Sequence, residues 1–309
     1  MQAQTAPKPS PSDLLLRQRL AALTRTLGGA RAGDVDAIHQ ARVATRRLRE
    51  AAALVSSRSL GGRLRRAARR LTRALGPVRE LDVALQMLDE LQRAGDAAPA
   101  AVACLRQLMS VERGALHAEA VKTIDRGDFE RLRPKVMTRV SASSGVTPLA
   151  AAARREPTAV RRSARRAERL RAAMDNAAGI YLPDRLHQVR IAVKKLRYAI
   201  EVARQVSRAR PNRGRTPSRS LRSVNGQLTA LKRAQELLGR MHDLEVLIAR
   251  TRAVQASPQA TSLRLSGELD RLVRRLETEC RLLHGHYMAA RPQLVEICDR
   301  IESKAARAA

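Results

Sequence analysis

The chain has 309 residues, long enough for one large or two medium domains with real cores. Its 60 Lys and Arg against 29 Asp and Glu leave a formal net charge of +31, far beyond what solubility asks for, so a polyanionic partner is the first expectation. One Phe, three Tyr and no Trp argue against a base-stacking nucleic-acid reader, three scattered Cys against a disulfide framework or zinc knuckle, and the lack of any apolar run near the roughly 18 residues that span a bilayer against membrane insertion.

Residues 1–11 read as a disordered lead, polar and Pro-rich, with no apolar core of an export signal. The expectation is a cytoplasmic protein in a reducing compartment. Ser12 or Asp13 can cap a first helix that runs through Leu16, Leu20 and Leu23 to a stop at Gly28-Gly29. Asp34 or Asp36 caps a second helix ending near Val55, and a third, Leu60 to Leu75, is dense in Arg. Gly76-Pro77 is expected to end that helix and turn the chain. Further helices follow at about 78 to 93, 100 to 125 and 129 to 140.

The Ser, Gly and Pro content of 141–157 marks it as a linker between a first half, 12–140, and a second half, 158–305. In the second half helices are expected at about 158 to 177, from Pro183 onward, and near 221 to 238, 241 to 256, 258 to 288 and 292 to 307. No segment alternates with period two, so the fold class is all-α, with no sheet.

One stretch is written twice. His39-Gln40-Ala41-Arg42-Val43-Ala44-Thr45-Arg46-Arg47-Leu48-Arg49 returns 148 residues later as His187-Gln188-Val189-Arg190-Ile191-Ala192-Val193-Lys194-Lys195-Leu196-Arg197. On a helix, His39, Arg42, Arg46 and Arg49 share one side within roughly 80°, opposite an apolar arc that includes Ile38, Ala41 and Leu48. His187, Arg190, Lys194 and Arg197 repeat the stripe. A second motif, Leu75-Gly76-Pro77-Val78-Arg79-Glu80-Leu81-Asp82-Val83, returns at 238–246 with an offset of 163. A basic loop insertion at 207–221, rich in Pro, Gly, Arg and Ser, accounts for the longer offset, and the two motifs together argue for an internal duplication.

The paired stripes resemble the signature of the CHAD family, the conserved histidine α-helical domain, over about residues 12 to 305. The resemblance implies two helical bundles related by a pseudo-twofold axis around a basic central groove or pore. It implies binding of inorganic polyphosphate and association with polyphosphate granules. The expected binding residues are His39, Arg42, Arg46, Arg47, Arg49, His187, Arg190, Lys194, Lys195 and Arg197, joined by the aligned basic pairs Arg69, Arg70 and Lys232, Arg233.

Polyphosphate suits the composition, being a chain of negative charges without bases to stack. Non-specific nucleic-acid binding by charge alone is the alternative, with nucleic acid otherwise a weaker competitor. No acid, base or metal-ligand set accompanies the basic groups, so no enzyme, metal or cofactor is expected. Glu50 and Glu201 are expected to pair one turn back with Arg46 and Arg197. Glu80, Asp82 and Asp243 read as helix N-terminal and inter-helix ion-pair residues. His117 reads as an ordinary helix residue, and His284 and His286 diverge on their helix.

Overall fold

The computed structural model describes residues 11–53, 58–95, 97–142, 148–208, 218–257 and 262–307. Among these it contains nine helices and no strand: α1 (Pro11–Ala32), α2 (Val35–Ala51), α3 (Arg58–Arg93), α4 (Pro99–Asp125), α5 (Asp128–Ala142), α6 (Pro148–Asn176), α7 (Pro183–Arg208), α8 (Ser218–Gln255) and α9 (Leu263–Ala306). Residues 1–10 of the expected lead and 209–217 of the expected insertion lie outside the described residues.

Asp34 fixes the start of the signature helix. Its backbone is extended and its carboxylate accepts the Ala37 N–H at 2.6 Å, a side-chain cap on an otherwise unpaired donor. The turn before it depends on Gly33, whose φ of +87° favours glycine and whose missing side chain leaves room for the His117 ring. His117 is thus more than an ordinary helix residue: its Nε2 lies 3.0 Å from the Ala30 carbonyl and ties α4 to the end of α1. Arg113 reinforces the same corner by donating to the Gly33 carbonyl at 2.9 Å and to the Asp82 carboxylate at 2.6 Å.

Several expected stops are absent. Gly28-Gly29 lie inside α1, which begins at Pro11, within the expected lead. α3 passes straight through Gly76-Pro77, α8 through Gly239, and α9 through Pro292. α2 ends at Ala51, short of Val55, and α6 starts at Pro148, so the second part of the expected 141–157 linker is helical. Proline is tolerated at a helix start, where its missing N–H has no partner to lose, and the Ala run that follows favours helix.

At Pro77 the interior position removes one helical hydrogen bond and crowds the carbonyl four residues back. Apolar packing on both sides of Pro77 outweighs that cost. α3 buries Leu64, Leu71 and Leu75 before Pro77 and Leu81, Met87 and Leu88 after it. The two stretches serve different cores.

Three apolar clusters result. The first gathers α1, α2, the N-terminal part of α3 and α5, with Leu20, Leu23, Ile38 and Leu48 at its centre. The second gathers α6, α7, the first part of α8 and the end of α9, around Leu170, Val189, Leu196, Leu231 and Tyr287. The third is assembled from the far ends of α3 and α8 with α4 and the first part of α9, and includes Leu88, Leu105, Leu247 and Leu272. Beyond the contacts inside each half, α2 packs on α7, α3 on α8 and α4 on α9. The second, third and fourth helices of the two halves therefore meet their counterparts, while α1 touches α7.

Candidate functional site

The contact of α2 with α7 brings the two signature helices together, apolar arcs turned away. Ile38, Ala41 and Leu48 on α2 and Val189, Val193 and Leu196 on α7 are buried in their own clusters. Their basic stripes consequently face each other, and α3 and α8 close the sides.

Ionisation behaviour maps this centre. Burial pushes the Lys194 ammonium down to about 6, and Arg190, Arg46 and Arg42 add to the effect by repulsion. Arg42 is lowered to about 10 by burial, then by Arg46, Arg190 and Arg79. His39 is held below the usual imidazole range by burial and by Arg79, Arg46 and Arg42. Cations from α2, α3 and α7 thus crowd one region.

Two carboxylates border it. Asp243 lies 3.6 Å from Arg190, and Glu80 offsets the charge on Arg42 and Arg190 while reaching Arg250 of α8 at 3.6 Å. The expected inter-helix pairs are present: Glu80 with Arg250, Asp82 with Arg113, and Asp243 with Arg190. None sits at a helix N-terminus, because α3 and α8 do not break where the motifs predict. Even with these partners the charge is unbalanced, and two buried guanidinium donors in the centre, Arg79 Nη1 and Arg190 Nε, have no acceptor.

His187 borders the centre and meets a second imidazole there. Its Nδ1 lies 3.1 Å from Nδ1 of His242 on α8, with ring centroids 4.4 Å apart, so one imidazole donates and the other accepts. Burial, with Arg190 and His187 beside it, lowers His242 to about 3, and His187 is also depressed, by burial and then by Arg190 and Lys194. The pair borders a cavity of about 360 Å³ that Tyr181 and Glu245 also line.

The structure therefore joins His39, Arg42, Arg46, His187, Arg190 and Lys194, and adds three residues absent from the expected set: Arg79, His242 and Asp243. A signal for two of them existed, since Arg79 and His242 correspond at the 163 offset. Other expected residues lie away from the centre. Arg47 and Arg197 share Glu201 at 3.6 and 2.5 Å, and Arg197 also donates to Gln235 and lies 4.5 Å from the centroid of the Tyr198 ring.

Arg70 is taken by Asp128 at 2.7 Å, Lys232 pairs with Glu236 at 3.4 Å, and Arg233 is exposed on α8. Arg49, Arg69 and Lys195 form a separate group beside α6. The i,i+4 pair of Arg197 with Glu201 is present, whereas Glu50 turns away from Arg46 to Arg162 and Arg166, because α6 presents two guanidiniums at closer range.

Comparison with known proteins assigns the family. The CHAD domain family model matches residues 14–252. The chain belongs to the CHAD domain family. Among solved structures, this CHAD domain is similar to the CHAD domain from the plant Ricinus communis, with a TM-score of 0.62 and 21% identity over 94% of this chain and 93% of that one. It is similar to PptA from Streptomyces chartreusis, with a TM-score of 0.62 and 19% identity over 92% of this chain and 99% of the other. At these identities the likeness is one of fold. No curated protein matches the chain.

Among the described residues of the CHAD domain, no three or more His, Cys, Asp and Glu side chains gather so as to hold a metal ion. No described helix is long and apolar enough to cross a membrane. All three cysteines are free, with Cys280 and Cys298 buried.

Proposed function

We propose that this CHAD domain binds inorganic polyphosphate without turning it over, in the cationic centre between α2 and α7, and that it resides in the cytoplasm on polyphosphate granules. The observation that carries the reading is the convergence of Arg42, Arg46, Arg79, Arg190 and Lys194, where burial and the neighbouring cations lower Arg42, Arg190 and Lys194 while Arg79 and Arg190 keep buried donors without acceptors. A phosphate chain supplies both missing terms: oxygens for the guanidinium forks and negative charge for the repulsion. The groups present are donors suited to holding anions. The family association recognised from the signature stripes adds to this reading.

The test is binding of long-chain polyphosphate at about 150 mM salt, where exposed charges more than roughly 8 Å apart are largely screened. The decisive variant combines His39→Ala, Arg46→Ala and Lys194→Ala. Arg42 is left in place because it also donates to the Thr72 carbonyl at 3.0 Å and so holds α2 to α3. With charge-assisted hydrogen bonds worth about 1.5–3 kcal/mol each, affinity should fall at least about a hundredfold while the helical signal is unchanged. Unchanged affinity would sink the central site. Duplex DNA displacing polyphosphate on equal terms would favour charge-driven nucleic-acid binding, and phosphate release above background with divalent metal would make the protein an enzyme.

A further inference from the structure

A second concentration of charge lies on the edge formed by α6. This helix buries Ala159, Ala167, Leu170 and Met174, and the spacing of Arg162, Arg166 and Arg169 at i, i+4 and i+7 stacks three guanidiniums on one side. They meet the C-terminal end of the α2 stripe and the neighbouring residue of α7. Arg162 and Arg166 approach Glu50 of α2 at 2.7 and 3.7 Å, and Glu50 is only 12% exposed.

That one carboxylate is shared widely. Arg49 is depressed by burial, then by Arg69, Arg46 and Arg166, with Glu50 opposing. Lys195 is depressed by burial, then by Arg166, Arg169 and Arg49, again with Glu50 opposing. Among the described residues, Arg49, Arg69, Arg169 and Lys195 have no carboxylate of their own. The opposite edge differs: there Arg19 donates to Gln205, Arg197 to Gln235 and Glu201, and Arg47 approaches Glu201.

Arg46 links this edge to the centre. It acts on Lys194 and Arg190 in the middle and on Arg49 one turn further along the same helix. We propose that Arg49, Arg69, Arg162, Arg166, Arg169 and Lys195 form a second anion site, continuous with the central one through Arg46, which takes the outgoing part of a phosphate chain too long for the centre alone. This rests on the function proposed above and deepens it: the protein then prefers long chains, and the chain leaves on the α6 side.

The experiment compares a short oligophosphate with long-chain polyphosphate, using wild type and the double variant Arg169→Glu, Lys195→Glu. Both positions are exposed, so the substitutions leave the cores intact. Affinity for the long chain should fall about tenfold or more, affinity for the short one should stay within about twofold, and the melting temperature should hold or rise, because mutual repulsion is removed. Equal loss for both lengths, or no loss, overturns the edge site while leaving the central one standing. Loss confined to duplex DNA also overturns it and makes the edge a nucleic-acid face. Wild-type protein that binds neither phosphate would instead overturn the function proposed above, and the edge site with it.

Discussion

Lys194 carries the clearest linkage between structure and solution behaviour. An unfolded lysine ionises near about 10.4, whereas the folded ammonium is pushed down to about 6 by burial and by Arg190, Arg46 and Arg42, with Asp243 of α8 pulling the other way. Between those values the unfolded chain holds a proton that the empty folded protein lacks. This group therefore costs stability progressively as pH falls through that window, and the loss is complete below the folded value.

A bound polyanion reverses the sign by favouring the ammonium. Polyphosphate affinity should consequently rise as pH is lowered from about 9 to about 6, with net proton uptake seen when calorimetry is repeated in buffers of different ionisation enthalpy. His39 and His187, both held below the ordinary imidazole value, extend the effect at its acid end. Lys194→Met should flatten the response above pH 7. A wild-type affinity that does not change between pH 6 and 9 would refute the coupling.

At the scale of elements, Asp82 tests how the helices are tied. Its side chain is fully buried on α3, it accepts from Arg113 of α4 at 2.6 Å, and the same guanidinium holds the Gly33 carbonyl at the α1–α2 turn. Asp82→Ala strands a largely buried cation at the junction of four helices. A loss of about 3 kcal/mol is expected, read as a lower urea midpoint with unchanged slope. Polyphosphate affinity of the folded variant should be intact, and a variant as stable as wild type would show that Gly33 alone satisfies Arg113.

The same scale shows what the sequence made legible. The 3.6-residue pattern of the two signature helices was readable because each has one buried face and a sharp start, at Asp34 and Pro183. Gly76-Pro77, Gly239 and Pro292 misled because local chemistry favours a stop at each, and only burial on both sides of the position overrides it. The stripes placed His39, Arg42, Arg46, Arg190 and Lys194 in one site. Arg79 and His242 showed only as counterparts at the 163 offset, and Asp243 only as an ion-pair residue, because they enter from α3 and α8 through packing that no local periodicity encodes. Arg70 was misplaced for the converse reason, since Asp128 comes from a distant helix to claim it.

For the whole molecule, a net charge of +31 on a folded chain is a standing self-repulsion. Screening should relieve it, so the melting temperature of the empty protein should rise with sodium chloride. Polyphosphate should do so at far lower concentration. At a hundredfold excess over its dissociation constant the gain is about 2.7 kcal/mol, a shift of several degrees that shrinks as salt is added. Melting that responds to neither would mean that the charges are already balanced in the folded state.

The third apolar cluster has a consequence for how such a chain comes to exist. Leu88 and Leu105 come from the first half, Leu247 and Leu272 from the second, and each pair covers apolar surface of the other. A polypeptide carrying only one half would leave that surface wet and would have to recruit another copy to cover it. Residues more than a hundred positions apart must find each other before this part of the molecule is stable, so it is the part expected to order last. During synthesis the first half would wait, one flank exposed, for the second to leave the ribosome.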